Sequence, residues 1–216
     1  MPVAIKGTKL VYFPVPKVAC TSIKTALLEH NDPGTLALFR NGPRDLPPRH
    51  VHEVYPTTDF ALRNLLGHTY GKAWIAVLRD PIRRAVSGYR NRIVHHRDLD
   101  LTASAAFARL GLPEAPDLTT FALNLATYCR LNADTDHHFA PLTRYLGTKP
   151  GRFARVFRLS ELDQFVGYVA QHGVHLTLPH EQSAGPPVGV DDLTDAARAA
   201  LMAFYREDYE IWGDYF

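Results

Sequence analysis

Lys17, Thr21 and Ser22 stand where a short loop enters a helix. Free backbone N–H groups point out of a helix start, the helix dipole favours an anion there, and a lysine adds a full charge. These residue types in this order suit a phosphate-like anion. A second set repeats the arrangement: Arg79 ends an apolar run, Asp80 and Pro81 follow, and Ser87 lies about two helical turns further on. An arginine offers a planar fork that matches phosphate. Arg79, Arg83, Arg84, Arg90, Arg92 and Arg97 gather in this one stretch, which suggests a local anion site more than a general polyanion surface. Each set alone is also compatible with an ordinary strand-to-helix turn. The chain has eleven histidines, and histidine is suited to proton transfer near neutral pH.

The elements that must position these residues follow from pattern. Residues 1–8 read as a lead-in. Leu10 to Phe13 is a short apolar run that suits a buried strand, and Pro14 to Ala19 is a tight turn with two prolines. A helix is expected from Thr21 to about Glu29, with Ala26, Leu27 and Leu28 as its apolar side, stopping at Asn31-Asp32-Pro33-Gly34. Residues 35–58 read as an irregular loop carrying Pro43, Pro47, Pro48 and Pro56 with Arg44, Arg49, His50 and His52 between them; so long a loop is usually functional or mobile. Phe60 to Leu66 reads as a short helix and Trp74 to Leu78 as a strand. Pro81 fits a first helical turn, and Ile82 to about His96 continues it.

Further on, an Ala-rich helical stretch precedes Gly111, Pro113 and Pro116. Asp117 reads as the N-cap of a helix through Arg130, with Phe121, Leu125 and Tyr128 at helical spacing. Asn132 to Pro141 is polar and histidine-bearing, and Leu142 to Leu146 is a short element. Phe153 to Leu159 is another strand candidate, and Ser160 is expected to cap a helix to about His172 with Glu161 and Asp163 in its first turn. After a loop over 173–190, the last helix is expected from Asp191 or Asp192 to about Ile211. Strands separated by helices point to an α/β fold, a parallel sheet with helices on both faces, in which ligands bind at the carboxyl ends of the strands. Both phosphate-type sets sit at such ends.

Composition narrows the class. The chain has 216 residues, which predicts one domain over residues 1–216, and 46% hydrophobic with 21% charged residues describes an ordinary globular protein. A net charge of +2 is too small to argue for nucleic acid. Two cysteines, Cys20 and Cys129, make no disulfide framework. Cys20 sits inside the loop-helix stretch, where it is either packing or a thiol activated at a helix start. No basic start precedes a long apolar run, and no stretch reaches membrane-spanning length.

Taken together, Pro16-Lys17-Val18-Ala19-Cys20-Thr21-Ser22 and Arg79-Asp80-Pro81-x-x-Arg84-x-x-Ser87-x-Tyr89 resemble the sulfotransferases that use 3′-phosphoadenosine-5′-phosphosulfate (PAPS), the carbohydrate sulfotransferases of sulfotransferase family 2 above all. Weaker likenesses continue: His138-Phe139-x-Pro141, where Leu142 departs from the family's glutamine; Phe157-Arg158-Leu159-Ser160-Glu161-Leu162; His180-Glu181-Gln182-Ser183, where the family tends to have asparagine at Gln182; and Phe204-Tyr205-x-x-Asp208-Tyr209-x-x-Trp212-Gly213. The resemblance implies a P-loop-like three-layer fold and transfer of a sulfuryl group from PAPS to a hydroxyl, most typically of a carbohydrate or glycolipid, with no metal. It implies that Lys17 stabilises the leaving phosphate. Val18, Ala19, Cys20, Thr21 and Ser22 would cradle the 5′-phosphosulfate, and Arg79 and Ser87 would hold the 3′-phosphate. Arg84 matches the motif and would join them, orient the loop or pair with an acid. Family position makes His52 the first candidate for the base and His50 the second, with Glu53 as an alternative base or as a residue that orients them. The Golgi relatives' anchor has no counterpart here, which suggests a cytoplasmic, bacterial enzyme or an excised domain, peripheral to a membrane if its acceptor is a glycolipid.

Two rival readings stay open. A P-loop nucleotide kinase or NTPase would explain the strand-loop-helix and the arginines, but the full Gly-x-x-x-x-Gly-Lys-Ser/Thr pattern is absent and Asp80 is the nearest acid for magnesium. A non-catalytic nucleotide- or glycan-binding module would keep the fold without a base. The adjacent His137 and His138 invite a metal reading, but their spacing is poor for a closed site. His68 precedes a Tyr-Gly turn and reads as structural.

Overall fold

The computed structural model describes residues 1–41, 50–61, 67, 69–102, 104–179 and 187–216. A two-residue strand, β1 (Val3–Ala4), precedes the buried strand β2 (Leu10–Phe13). Helices α1 (Cys20–Asn31) and α2 (Thr35–Asn41) and the single turn α3 (Val51–Val54) come next. Strand β3 (Ala73–Leu78) leads into α4 (Pro81–Gly88), which continues as a π-helical segment, Tyr89–His95. A 3₁₀ turn at Asp98–Leu101 precedes α5 (Ser104–Arg109), α6 (Leu118–Leu123), α7 (Leu125–Leu131), α8 (Ala133–Phe139) and α9 (Leu142–Leu146). Strand β4 (Phe153–Arg158), α10 (Leu162–Gln171), α11 (Asp195–Phe204) and α12 (Arg206–Trp212) complete the order. Among the described residues no helix is long and apolar enough to cross a membrane.

The elements fall into two compact units. The first comprises Met1–Arg79, Leu142–Glu181 and Asp214–Phe216. It holds a four-stranded sheet in the order β1-β2-β3-β4, flanked by helices. The fold is α/β and P-loop-like. Strands β2, β3 and β4 run parallel. Tyr12, Ile75, Val77 and Phe157 pack with Ile23 and Leu27 of α1 and Phe165 and Val169 of α10. Phe13 is packed instead with Trp74 (ring centroids 4.6 Å) and Phe153 (5.2 Å), with Phe60 nearby. Cover on both sides is why β2 and β3 read as unbroken apolar runs. At the sheet's edge β4 leaves Ala154, Arg155 and Arg158 exposed.

The second unit comprises Asp80–Pro141 and Gln182–Gly213 and is helical among its described residues. Val86, Tyr89, Phe121, Leu125, Tyr128, Phe139, Leu201 and Tyr205 are among the side chains of its core. Buried tyrosines are useful there because each hydroxyl finds a main-chain acceptor. Tyr89 donates to Pro116 O, Tyr128 to Pro113 O and Tyr205 to Phe139 O. Gly88 is required by a close approach: a Cβ there would come within 2.8 Å of the Phe139 ring.

Several expectations are corrected. The sheet is parallel as expected over β2, β3 and β4, with β1 added antiparallel to β2, Val3 opposite Tyr12. The lead-in therefore folds back as an edge strand, through a turn in which Gly7 takes φ 80. Residues 35–58 are not irregular throughout, since α2 and α3 lie within them. The 117–130 helix is capped as expected, with Asp117 accepting from Thr120 N–H at 2.7 Å, but it breaks at Asn124, whose side-chain amide donates to Thr120 O. Asn132 to Pro141 contains α8, capped by Asn132 through Thr135 N–H. Ser160 caps nothing: a 3₁₀ turn, Leu159–Glu161, intervenes, and Glu161 accepts from Arg158 N–H. Asp191 and Asp192 lie in another 3₁₀ turn, and Thr194 caps the last helical run instead. That run divides at Tyr205, whose buried hydroxyl is held by Phe139 O. The expected helix at Phe60 to Leu66 falls mostly outside the described residues.

Candidate active site

Strand β2 runs through a buried Pro14-Val15-Pro16 into Lys17 and then α1. The loop bends by an unusual route: Lys17 has φ 65 and Ala19 has φ 58, both left-handed and neither glycine. Each such residue costs about 1–2 kcal/mol, and strain of this kind gathers where backbone geometry serves a purpose. Left-handed residues in a tight loop are a recurrent feature of backbone anion nests. Ala19 is the N-cap of α1, with no side-chain cap and no acidic residue in the first turn. Ile23 N–H is the donor that reaches Ala19 O, so the N–H groups of Cys20, Thr21 and Ser22 have no intrahelical acceptor. The local sequence thus leaves positive potential at the start of a full-length helix.

Beside this helix start lies the histidine pair. His50 is the N-cap of α3, and its Nδ1 accepts from His52 N–H at 3.3 Å. The two rings stack with centroids 4.9 Å apart. His52 Nε2 is 3.0 Å from Thr21 Oγ1, and its Nδ1 is 3.0 Å from Lys24 Nζ. Lys24 is fully buried and also donates to Thr57 Oγ1 at 2.6 Å. Burial lowers its pKa from 10.5 to about 8, with a smaller opposing contribution from Cys20. Among the described residues no carboxylate pairs with Lys24. Sequence reasoning assigned Lys24 and Thr57 no role. The available signal was helical spacing, since Thr21 and Lys24 share a face at i, i+3.

Arg79 follows β3 directly. Because β2 and β3 are parallel neighbours, with Phe13 opposite Ala76, the Lys17 loop and Arg79 follow the carboxyl ends of adjacent strands. Both are half-buried.

Ser87 and Arg84 belong to α4 in the helical unit. Pro81 opens this helix and Asp80 caps it, with Oδ1 accepting from Arg83 N–H at 2.8 Å and Oδ2 from the Tyr209 hydroxyl at 2.8 Å. Burial, and then that bond, push the Tyr209 hydroxyl well above its ordinary pKa. Ser87 is half-buried. Arg84 is fully buried and donates to His138 O at 3.2 Å and Ala140 O at 2.5 Å, with Tyr205 5.4 Å away under its guanidinium. Two of its nitrogens are thus committed to main-chain carbonyls.

Cys20 is buried, in keeping with packing. Glu53 is exposed on α3. His137 and His138 lie on α8, where His138 Nδ1 is 2.8 Å from Asp134 O, and among the described residues no group of three metal-ligating side chains forms. His68 and the His180-Glu181-Gln182-Ser183 segment lie outside the described residues.

Comparison with known protein families matches residues 4–215 to the sulfotransferase family, in the branch called family 2. Neither the curated proteins nor the solved structures contain a significant match. The match spans essentially the whole chain and includes both phosphate-type motifs, so the chain belongs to sulfotransferase family 2.

Proposed function

We propose that the chain, acting as one sulfotransferase domain, moves a sulfuryl group from PAPS to a hydroxyl of a carbohydrate or glycolipid. Family membership supports sulfuryl transfer in general. The observation that carries the finer reading is the Lys17 loop: two left-handed non-glycine residues and an uncapped helix start, with His52 hydrogen-bonded to Thr21 of that same turn. This loop is assigned the 5′-phosphosulfate. The acceptor oxygen attacks sulfur in line, the new O–S bond forms, and the bond from sulfur to the bridging phosphate oxygen breaks. Lys17 meets the charge that develops on the leaving phosphate, an interaction stronger in the transition state than before it. The acceptor's proton goes to a base, for which the His50–His52 pair is the leading candidate and Glu53 the alternative. Arg79 and Ser87 are assigned the 3′-phosphate on their motif positions.

The kinase reading is weakened by Asp80. Both its carboxylate oxygens are engaged, one by a main-chain N–H and one by Tyr209, where magnesium would need them. Calorimetric titration with 3′-phosphoadenosine-5′-phosphate (PAP), against ATP with magnesium, tests the proposal. Binding of PAP and little binding of ATP is expected. The reverse result would make the Lys17 loop a kinase-type cradle, and binding of neither would favour a non-catalytic module.

A further inference from the structure

Lys24, His52 and Thr21 form a chain of two hydrogen bonds, each 3.0 Å long, ending at the uncapped start of α1. An ammonium only donates. While Lys24 is charged, His52 Nδ1 must therefore accept, and the ring's proton sits on Nε2. Nε2–H then donates to Thr21 Oγ1, and the Thr21 hydroxyl hydrogen is turned away from the histidine, free to meet an anion at the helix start. A neutral Lys24 amine has a lone pair. It can take Nδ1–H while still donating to Thr57, and Nε2 is then bare and accepts from Thr21.

We propose that Lys24 is a positioning residue whose charge sets the direction of this chain. When charged, it makes Thr21 a donor to the bound phosphosulfate; when neutral, it makes His52 Nε2 a proton acceptor. The second half rests on the reading of His52 as the base. The first half rests on Thr21 belonging to the anion cradle.

The surroundings make the switch accessible. Lys24 is fully buried, and its hydrogen-bond partners are an imidazole and a hydroxyl, not a carboxylate. A buried ammonium without a counter-charge loses its proton readily, and burial brings its pKa to about 8. Among the described residues, ionisable groups on the elements around this part of α1 include Cys20 on α1 itself, Tyr12 on β2, Lys17 in the loop, His50 and Glu53 at α3, and Tyr55 beyond it. Of these, only Cys20 contributes to the Lys24 shift, in the opposing direction.

The test is the nitrogen-15 NMR spectrum of the His52 ring in the full chain, assigned by the signals lost in His52→Gln. From about pH 6.5 to about pH 9.5, either side of the Lys24 transition, the ring proton is expected to move from Nε2 to Nδ1. In Lys24→Met no such exchange is expected. A wild-type ring that keeps one tautomer throughout overturns the proposal, and so does an exchange that survives in Lys24→Met. If Lys24→Met does not fold, the wild-type titration alone decides.

A parallel calorimetric series with PAP should show affinity falling about tenfold across the same range in the wild type, from loss of a hydrogen bond to a charged group. Tautomer exchange without PAP binding at any pH would remove the PAPS reading and leave the Lys24 switch standing. PAP binding without tautomer exchange would do the opposite.

Discussion

Arg84→Ala separates the two roles open to a motif arginine. The guanidinium is fully buried, holds two carbonyl oxygens and lies over Tyr205. A hydrogen bond from a charged group contributes ~1.5–3 kcal/mol, and the aromatic contact adds about 1 kcal/mol. Against this stands the cost of burying the charge, including an Nε with no hydrogen-bond partner, at about 1–3 kcal/mol. The alanine variant also leaves His138 O and Ala140 O without their donor. The net loss is about 3–5 kcal/mol, the usual range for breaking one side of a buried charged contact. In a chain of 216 residues each 1 kcal/mol moves Tm by roughly 2–4 °C, so a fall of roughly 6–20 °C is expected. Arg84→Met keeps most of the volume and should lose about 1–3 kcal/mol.

The assay is thermal unfolding of both variants, with PAP calorimetry at a temperature where each is folded. An orienting Arg84 leaves PAP affinity of the folded protein within about threefold of the wild type, since a pure stability effect does not enter the binding constant. A variant that melts within about 2 °C of the wild type yet no longer binds PAP would put the guanidinium on the nucleotide and refute the reasoning.

Lys17→Ala should leave the melting temperature near that of the wild type and lower sulfuryl transfer by about 10²–10³-fold; near-full activity would remove the leaving-group assignment. Arg79→Ala should weaken PAP far more than adenosine 5′-phosphosulfate, and equal losses for both would place the 3′-phosphate elsewhere. Gly88→Val should destabilise by about 1–3 kcal/mol through overpacking, because the Phe139 ring in its way is itself buried against Phe121 at 4.9 Å; urea unfolding reads this. Lys24 has a folded pKa of about 8 against 10.5 in the unfolded chain. The unfolded chain therefore binds more protons between those values, and the Lys24 contribution to stability rises by roughly 3 kcal/mol as pH climbs from about 8 to 10.5. Urea midpoints of wild type and Lys24→Met should diverge over that window, and a difference independent of pH would count against the burial of Lys24.

Strands β2 and β3 were legible because burial on both faces writes an unbroken apolar run. The Asp117 cap was legible because a short acid before an apolar helical pattern has one favourable use. What escaped was set by contacts between distant residues. The break at Tyr205 is held by a hydroxyl on Phe139 O, far away in sequence. Strand β1 has only two residues and exists through its pairing with β2. Arg84 carries the right motif position, yet its direction is decided by two carbonyls of α8 and its C-cap. Residues 35–58 looked irregular because prolines dominate them, and α2 and α3 occupy the stretches that prolines leave free. Lys24 was the least legible of all: lysine is almost never fully buried, so its default reading is a solvated helix residue.

The locations of these departures are informative. Lys17 and Ala19 adopt a backbone conformation that glycine would adopt at less cost. Helix α1 begins without a side-chain cap, and Thr21 and Ser22 stand two and three residues past the position that would provide one. Lys24 buries an amine with no carboxylate paired to it among the described residues. Each of these lowers stability, and two of them could be relieved by substitution: the backbone strain by glycine at 17 and 19, the buried amine by methionine at 24. Unrelated flaws would be scattered over the chain. These three lie within eight consecutive residues at the end of one strand, beside the histidine pair. Costs that share one place call for one cause, and under the proposed function that cause is a bound anion, beside which the open helix start and the buried amine would each become favourable.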